Sequence, residues 1–304
     1  MKNKNKNKNI VLKTCLTALA LSVAGLANAQ DADMLTYSAI SGGELSIAGQ
    51  TPFSGNNVGG HLAAQAAVVI GANSEVNDIY AGAAVGVGAN AIANNIIAGA
   101  AVVVGAGGKV GHITAGAAIT LGADAGSKFI TDEQLATITF GAGAYNENNE
   151  NDGYLDGGGI QSNDDMAKKM TIIKERFVEI EQQMDGLAPS IMNITNHTDW
   201  IGSENPIKAS AINIDAGTEV RVNGNVTVYT TEAVTLGSHS SIVLIDGASI
   251  TWILGGSLNL GANSTFVGTA YVRGAITGAT SDVTCGHLYA TGPISLRSIG
   301  KSCK

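Results

Sequence analysis

The chain has 304 residues, enough for one large domain or two ordinary ones, and 45% of them are hydrophobic, ample for a core. Its 40 Gly, 4 Pro, 14% charged and 5% aromatic residues exclude a disordered tail, which lacks apolar side chains, and collagen, which needs Gly at every third position and much Pro. The formal net charge of −8 is the sum of two unlike parts, a basic start and an acidic remainder.

The basic start carries Lys2, Lys4, Lys6, Lys8 and Lys13 ahead of an apolar run from Leu16 to Leu26 and a small-residue site, Ala27-Asn28-Ala29. This is the pattern of a secretory signal peptide, residues 1–29, cleaved before Gln30 and leaving residues 30–304 as a single exported domain. The apolar run is too short to span a bilayer, so no membrane insertion is expected. Loss of the five Lys leaves 12 bases against 25 acids, a net charge of −13, which repels nucleic acid and anionic lipid. Cys15 leaves with the leader, and Cys285 and Cys303 remain in an oxidising compartment.

The N-terminal coils, assigned to residues 30–130, contain an internal repeat. Residues 62–78, 79–95, 96–112 and 113–129 align without gaps at 17 residues, reading LAAQAAVVIGANSEVND, IYAGAAVGVGANAIANN, IIAGAAVVVGAGGKVGH and ITAGAAITLGADAGSKF. The large aliphatics sit two apart, at Val68/Ile70, Val85/Val87, Val102/Val104 and Ile119/Leu121, the period of a strand with one face buried. A short strand, a turn, another short strand and another turn, closing every 17 residues, describe one coil of a parallel β-solenoid. Position 10 of each copy, Gly71, Gly88, Gly105 and Gly122, lies in a turn.

An insertion follows at 131–163. Residues 146–165 form a polar, acidic, Gly-rich loop, and its nearest fit to a calcium loop, with Asn148, Glu150, Asp152 and Gly153, places Gly159 where the bidentate Glu belongs. A solvated loop is therefore expected. From 164 to 186, Met166, Met170, Ile173, Phe177, Ile180 and Met184 recur at spacings of 4, 3, 4, 3 and 4, the stripe of a helix packed along the solenoid flank. Gly186 and Pro189 supply its stop.

The C-terminal coils, 187–304, repeat at 18 residues from Trp252, Ala270 and Leu288, with Leu258, Ile276 and Ile294 as an inward ladder and Tyr271 stacked on Tyr289. Cys285 and Cys303 share one coil position. Stacked strands bring Cα atoms about 4.8 Å apart, within disulfide reach, so a Cys285–Cys303 bridge is expected to clamp the last coil.

Catalytic chemistry is scarce. None of His61, His112, His197, His239 and His287 is paired at a metal spacing, and the Gly-rich turns give neither a dinucleotide fingerprint nor a nucleophile elbow. The chain is read as non-enzymatic, without catalytic residues, cofactor or metal.

Residues 234–299, with VTLGSHSSIVLIDGASITWILGGSLNLGANSTFVGTAYVRGAITG followed by CGHLYATGPISL, resemble the C-terminal part of the bacterial ice-binding protein family of DUF3494 type. The resemblance implies a right-handed β-solenoid of triangular cross-section, a helix alongside, and a flat face that adsorbs to ice. It implies a secreted protein acting as a monomer, with the ice crystal surface as its partner. The outward position between the buried aliphatics reads Val69, Gly86, Val103 and Thr120, then Asn259, Thr277 and Ser295, all uncharged. Position 2 of the repeat adds Thr114. The candidate ice-binding residues are thus Val69, Val103, Thr114, Thr120, Asn259, Thr277 and Ser295. The Ala-rich N-terminal copies depart from that family and also resemble surface-anchor solenoids, which leaves a structural or adhesive cell-surface role as the alternative.

Overall fold

The computed structural model describes residues 34–48, 60–131, 138–146, 163–202 and 206–299, and its large compact unit begins at Tyr37. Among the described residues it is a mainly β, parallel solenoid with one long helix, α1 (Asn163–Met184). Each full coil of the 17-residue block contributes to three parallel ladders. The first stacks Leu62 on Ile79, Ile96 and Ile113. The second stacks Val68 on Val85, Val102 and Ile119. The third stacks Glu75 on Ile92, Lys109 and Gly126. The repeat pattern foresees two strands per coil; the third begins as the two-residue Glu75–Val76 and lengthens into Ile92–Ala98 and Lys109–Ala115 by running on into the first ladder of the following coil.

The 18-residue register of the C-terminal coils holds on the first and second ladders. Trp252 stacks on Ala270 and Ala270 on Leu288, while Leu258, Ile276 and Ile294 pair in sequence. Tyr271 and Tyr289 lie with ring centroids 5.2 Å apart. On the third ladder the register shifts: Thr265 pairs with Asp282, and Asp282 and Val283 pair with Ser298 and Ile299, offsets of 17 and 16. The common coil position expected for Cys285 and Cys303 is therefore not kept in the pairing that leads up to Cys285. Cys285 pairs with Val267 through the backbone, but its side chain and Cys303 lie outside the described residues, as do the leader, the Asn146–Asp165 loop over 147–162, and Gly159 within it.

Coil order in space is not chain order. Tyr37–Ser41 and Leu45–Ile47 pair on one side with His61–Ala64 and Val68–Ile70 and on the other with Ile276–Ala290 and Ile294–Ile299. The first coil is therefore the middle of the stack. The chain coils outward from it to Asn146, and after α1 it begins again at the opposite end with Met192–Ile194, coiling back until Ile294 meets Leu45. One hydrophobic core runs through both halves.

Stacking at about 4.8 Å leaves no space for a side chain at those turn positions whose Cβ would point at the backbone of the coil below. A Cβ on Gly88 would sit 2.5 Å from the Ala72 nitrogen, and one on Gly99 2.3 Å from the Gly82 carbonyl oxygen. The turn after the second ladder puts its third residue in the left-handed region, filled by Asn73, Asn90, Asp124, His239 and Asn263 or by Gly107, Gly143 and Gly217. Asn and Asp tolerate this conformation best among residues with a side chain.

The α1 stripe Met166, Met170, Ile173, Phe177, Ile180 and Met184 is buried throughout, as its spacing predicts. It lies over the outward side of the first ladder, where Tyr229, Ile253, Tyr271, Tyr289 and Ile40 are buried in turn. Polar ends fix the position: the Lys169 ammonium sits 4.8 Å from the Tyr37 ring centre, the Arg176 guanidinium 5.3 Å from Tyr271, and the Tyr229 hydroxyl donates to Glu179 at 3.0 Å. Gly186, at φ +68°, ends the helix.

Candidate functional site

The outward residues of the second ladder form one unbroken row. In stacking order they are Asn193, Asn213, Thr235, Asn259, Thr277, Ser295, Ser46, Val69, Gly86, Val103, Thr120 and Thr139. Twelve rungs at the parallel-strand spacing span about 50 Å. All twelve are uncharged, and all are exposed or half-buried. From Asn213 to Thr120 the residues on either side of each rung point inward and are buried, as at Ile212/Ile214, Leu258/Leu260, Leu45/Ile47 and Val102/Val104. The core thus fixes the height and direction of the outward side chains over this stretch.

The row changes character along its length. On one side, amide and hydroxyl groups tie rung to rung: Asn213 donates to Asn193 at 2.9 Å, and Thr277 to Asn259 at 3.1 Å. On the other, Val69 and Val103 are 41% and 50% exposed, a large apolar exposure for a strand surface. Ser46, in the first coil, joins the two.

Of the seven sequence candidates, Val69, Val103, Thr120, Asn259, Thr277 and Ser295 fall on this row. Thr114 does not; it lies on the first ladder between Ile97 and Thr131, on the side that carries α1 further along the stack. Sequence reasoning passed over Asn193, Asn213, Thr235, Ser46 and Thr139. Their signal is present in the short triads MNI, INI, VTL, LSI and ITF, the last four each followed within three residues by Gly or Ala.

Charge and titratable groups gather on the other sides. The third ladder carries Asp199, Glu219 and Arg221, with Arg221 bonded to Glu219 at 2.6 Å and His197 3.3 Å from Asp199. At the corner between the third and first ladders, Asp78 is buried and accepts from the Asn94 side chain at 3.0 Å and from the Asn95 amide groups at 3.1 and 2.8 Å, with His61 Nδ1 3.0 Å from its other oxygen. Burial would raise the Asp78 carboxyl, but the His61 bond and charge and the Asn95 donors outweigh it and hold it below its ordinary value. The Tyr229 hydroxyl is pushed up to about 12, by burial first and then by the Glu179 carboxylate. Among the described residues, no group of three His, Cys, Asp or Glu side chains is placed to hold a metal ion, and no helix is long and apolar enough to cross a membrane.

These features define a parallel β-solenoid with one charge-free, in-register outer row. Residues 205–300 match the model of the Ice-binding-like family, which bears out the resemblance drawn from the C-terminal coils and extends it upstream. No curated protein matches the chain. Among solved structures it is similar to the crystal structure of an ice-binding protein from an Antarctic ascomycete, Antarctomyces psychrotrophicus, at 17% identity over 68% of this chain and 92% of that one, with a TM-score of 0.29.

Proposed function

We propose that the protein adsorbs to ice through the outward row of the second ladder and so inhibits ice growth or recrystallisation, as a secreted, non-enzymatic protein. The observation that carries this reading is the row of twelve uncharged rungs in a single register. Ice is a repetitive solid, and its receptor needs periodic, rigidly held groups that either join the lattice or leave its outer water undisturbed. A charged side chain would hold its own hydration shell, and removing that shell is expensive. The second ladder avoids charge along its whole length, whereas the third carries it. The basic leader and small-residue site at Ala27–Ala29 support export, and the Ice-binding-like match over residues 205–300 supports the ligand class.

The test is an ice recrystallisation assay on the purified protein with Thr120→Arg and Thr277→Arg, one in each half of the row. The protein itself is expected to keep ice grains small, and each variant to weaken the effect strongly. Both sites are at the surface, so stability should change by no more than about 0.5 kcal/mol. Full activity in both variants removes this row as the adsorbing face.

A further inference from the structure

Gly86 is the one rung of the row without a side chain, and nothing in the backbone requires it. A Cβ built there would meet only Val69 Cγ1, at 3.9 Å, an ordinary contact. Its neighbours in the coil differ: a Cβ on Gly82 would lie 2.2 Å from the Gln65 carbonyl oxygen and one on Gly88 2.5 Å from the Ala72 nitrogen. Nor is Gly86 in the left-handed region. Within a strand, Gly gives up both strand propensity and the contact a side chain would make with the rungs above and below. The adjacent rungs show what the position accepts elsewhere, namely Val69 and Val103. Glycine here therefore weakens the strand without relieving any clash.

What it creates is a gap. Val69 and Val103 stand two rungs apart, about 10 Å, and their branched side chains are stiff at χ1. Between them the floor of the row is the bare Gly86 backbone. The walls are methyl groups, which offer no hydrogen bonds, so a water entering the gap must take most of its partners from neighbouring waters.

We propose that Gly86 is a specificity-determining position of the ice face: the one-rung gap between Val69 and Val103 seats a water of the ice lattice and selects the crystal plane to which the apolar half of the row adsorbs. This rests on the ice-adsorption reading above. Two variants test it, Gly86→Ala and Gly86→Thr, each examined for recrystallisation inhibition, for the planes stained when a fluorescently labelled protein adsorbs to a single ice crystal, and for thermal stability. The expected result is a graded, several-fold loss of inhibition from Ala to Thr, an altered set of stained planes, and a melting temperature equal to or above that of the parent. A purely structural role for Gly86 would lower the melting temperature and leave the planes unchanged. Parental activity and staining in Gly86→Thr, or a gain of activity, overturns the proposal. If Thr120→Arg and Thr277→Arg abolish adsorption while Gly86→Thr does not alter it, the row binds ice and the gap has no part in it. If none of the variants changes adsorption, the reading of the row itself has failed.

Discussion

In the 17-residue coils every member of the core is Ala, Val, Ile or Leu, whereas the coils between Met192 and Ile299 add Trp200, Trp252 and Phe266. These three rings touch in series, with centroids 5.7 and 5.4 Å apart, and the Trp252 indole donates to the Val267 carbonyl at 3.1 Å. Coil length accounts for the two Trp, which lie in coils of 20 and 24 residues, while Phe266 packs against Trp252 from the next coil, of 18. The second ladder advances by 17 residues from Val68 to Val85, but from Ile212 to Val234 and from Val234 to Leu258 it advances by 22 and 24. A longer coil encloses more space, and interiors are packed close to crystal density, so larger side chains fill it. Short coils do the reverse: with little volume to enclose, they reach full packing with Ala and the branched aliphatics alone. The outer row is indifferent to this change, because both kinds of coil present the same inward–outward–inward triad on the second ladder.

Removing the largest side chain should separate the two halves most clearly. Trp252→Ala is expected to destabilise by about 3–5 kcal/mol, against about 0.5–1.5 kcal/mol for Ile96→Val in the regular coils. Denaturant unfolding measures both, and equal losses would mean that the wide coils are not held by their aromatic core. Next in size is the turn of the regular coils. Gly99→Ala places a methyl 2.3 Å from the Gly82 carbonyl oxygen and should destabilise by about 1–3 kcal/mol, while Gly86→Ala in the same block should not destabilise.

The smallest effects are pH limbs, one in each half. The Asp78 carboxyl is held below its unfolded value near 3.8, so its contribution is present above that pH and lost as pH falls through the lower folded value. Asp78→Asn should flatten the acid limb of the melting-temperature profile. Tyr229 is raised from 10.0 to about 12, so its contribution is present below pH 10 and lost as pH climbs toward 12. Tyr229→Phe should flatten the alkaline limb and leave the acid limb as it was.

Much of this was legible from residue spacing. The alternating pairs such as Val85/Val87 mark the second ladder because one strand face is buried, and the stripe from Met166 to Met184 marks α1 because a helix repeats near every 3.6 residues. Glu75–Val76 gives no comparable signal: two residues, one charged, contain no alternation to detect. Thr114 shows the limit of composition as a guide. It is a small polar residue in a repeat, like Thr120, yet it sits on the ladder that α1 covers elsewhere, and only the register separates the two.

The sequence alone determined the period, the strand that faces inward, the turns that must be small and the absence of charge from the second ladder, since each follows from contacts between residues a few positions or one coil apart. The tertiary structure decided which coils are neighbours. Parallel pairing is made by backbone groups, and the triads LSI, VVI and ISL present nearly the same edge, so nothing in Leu45–Ile47 announces that it will receive Ile294–Leu296 on one side and Val68–Ile70 on the other. That junction turns two separate half-rows into one of about 50 Å.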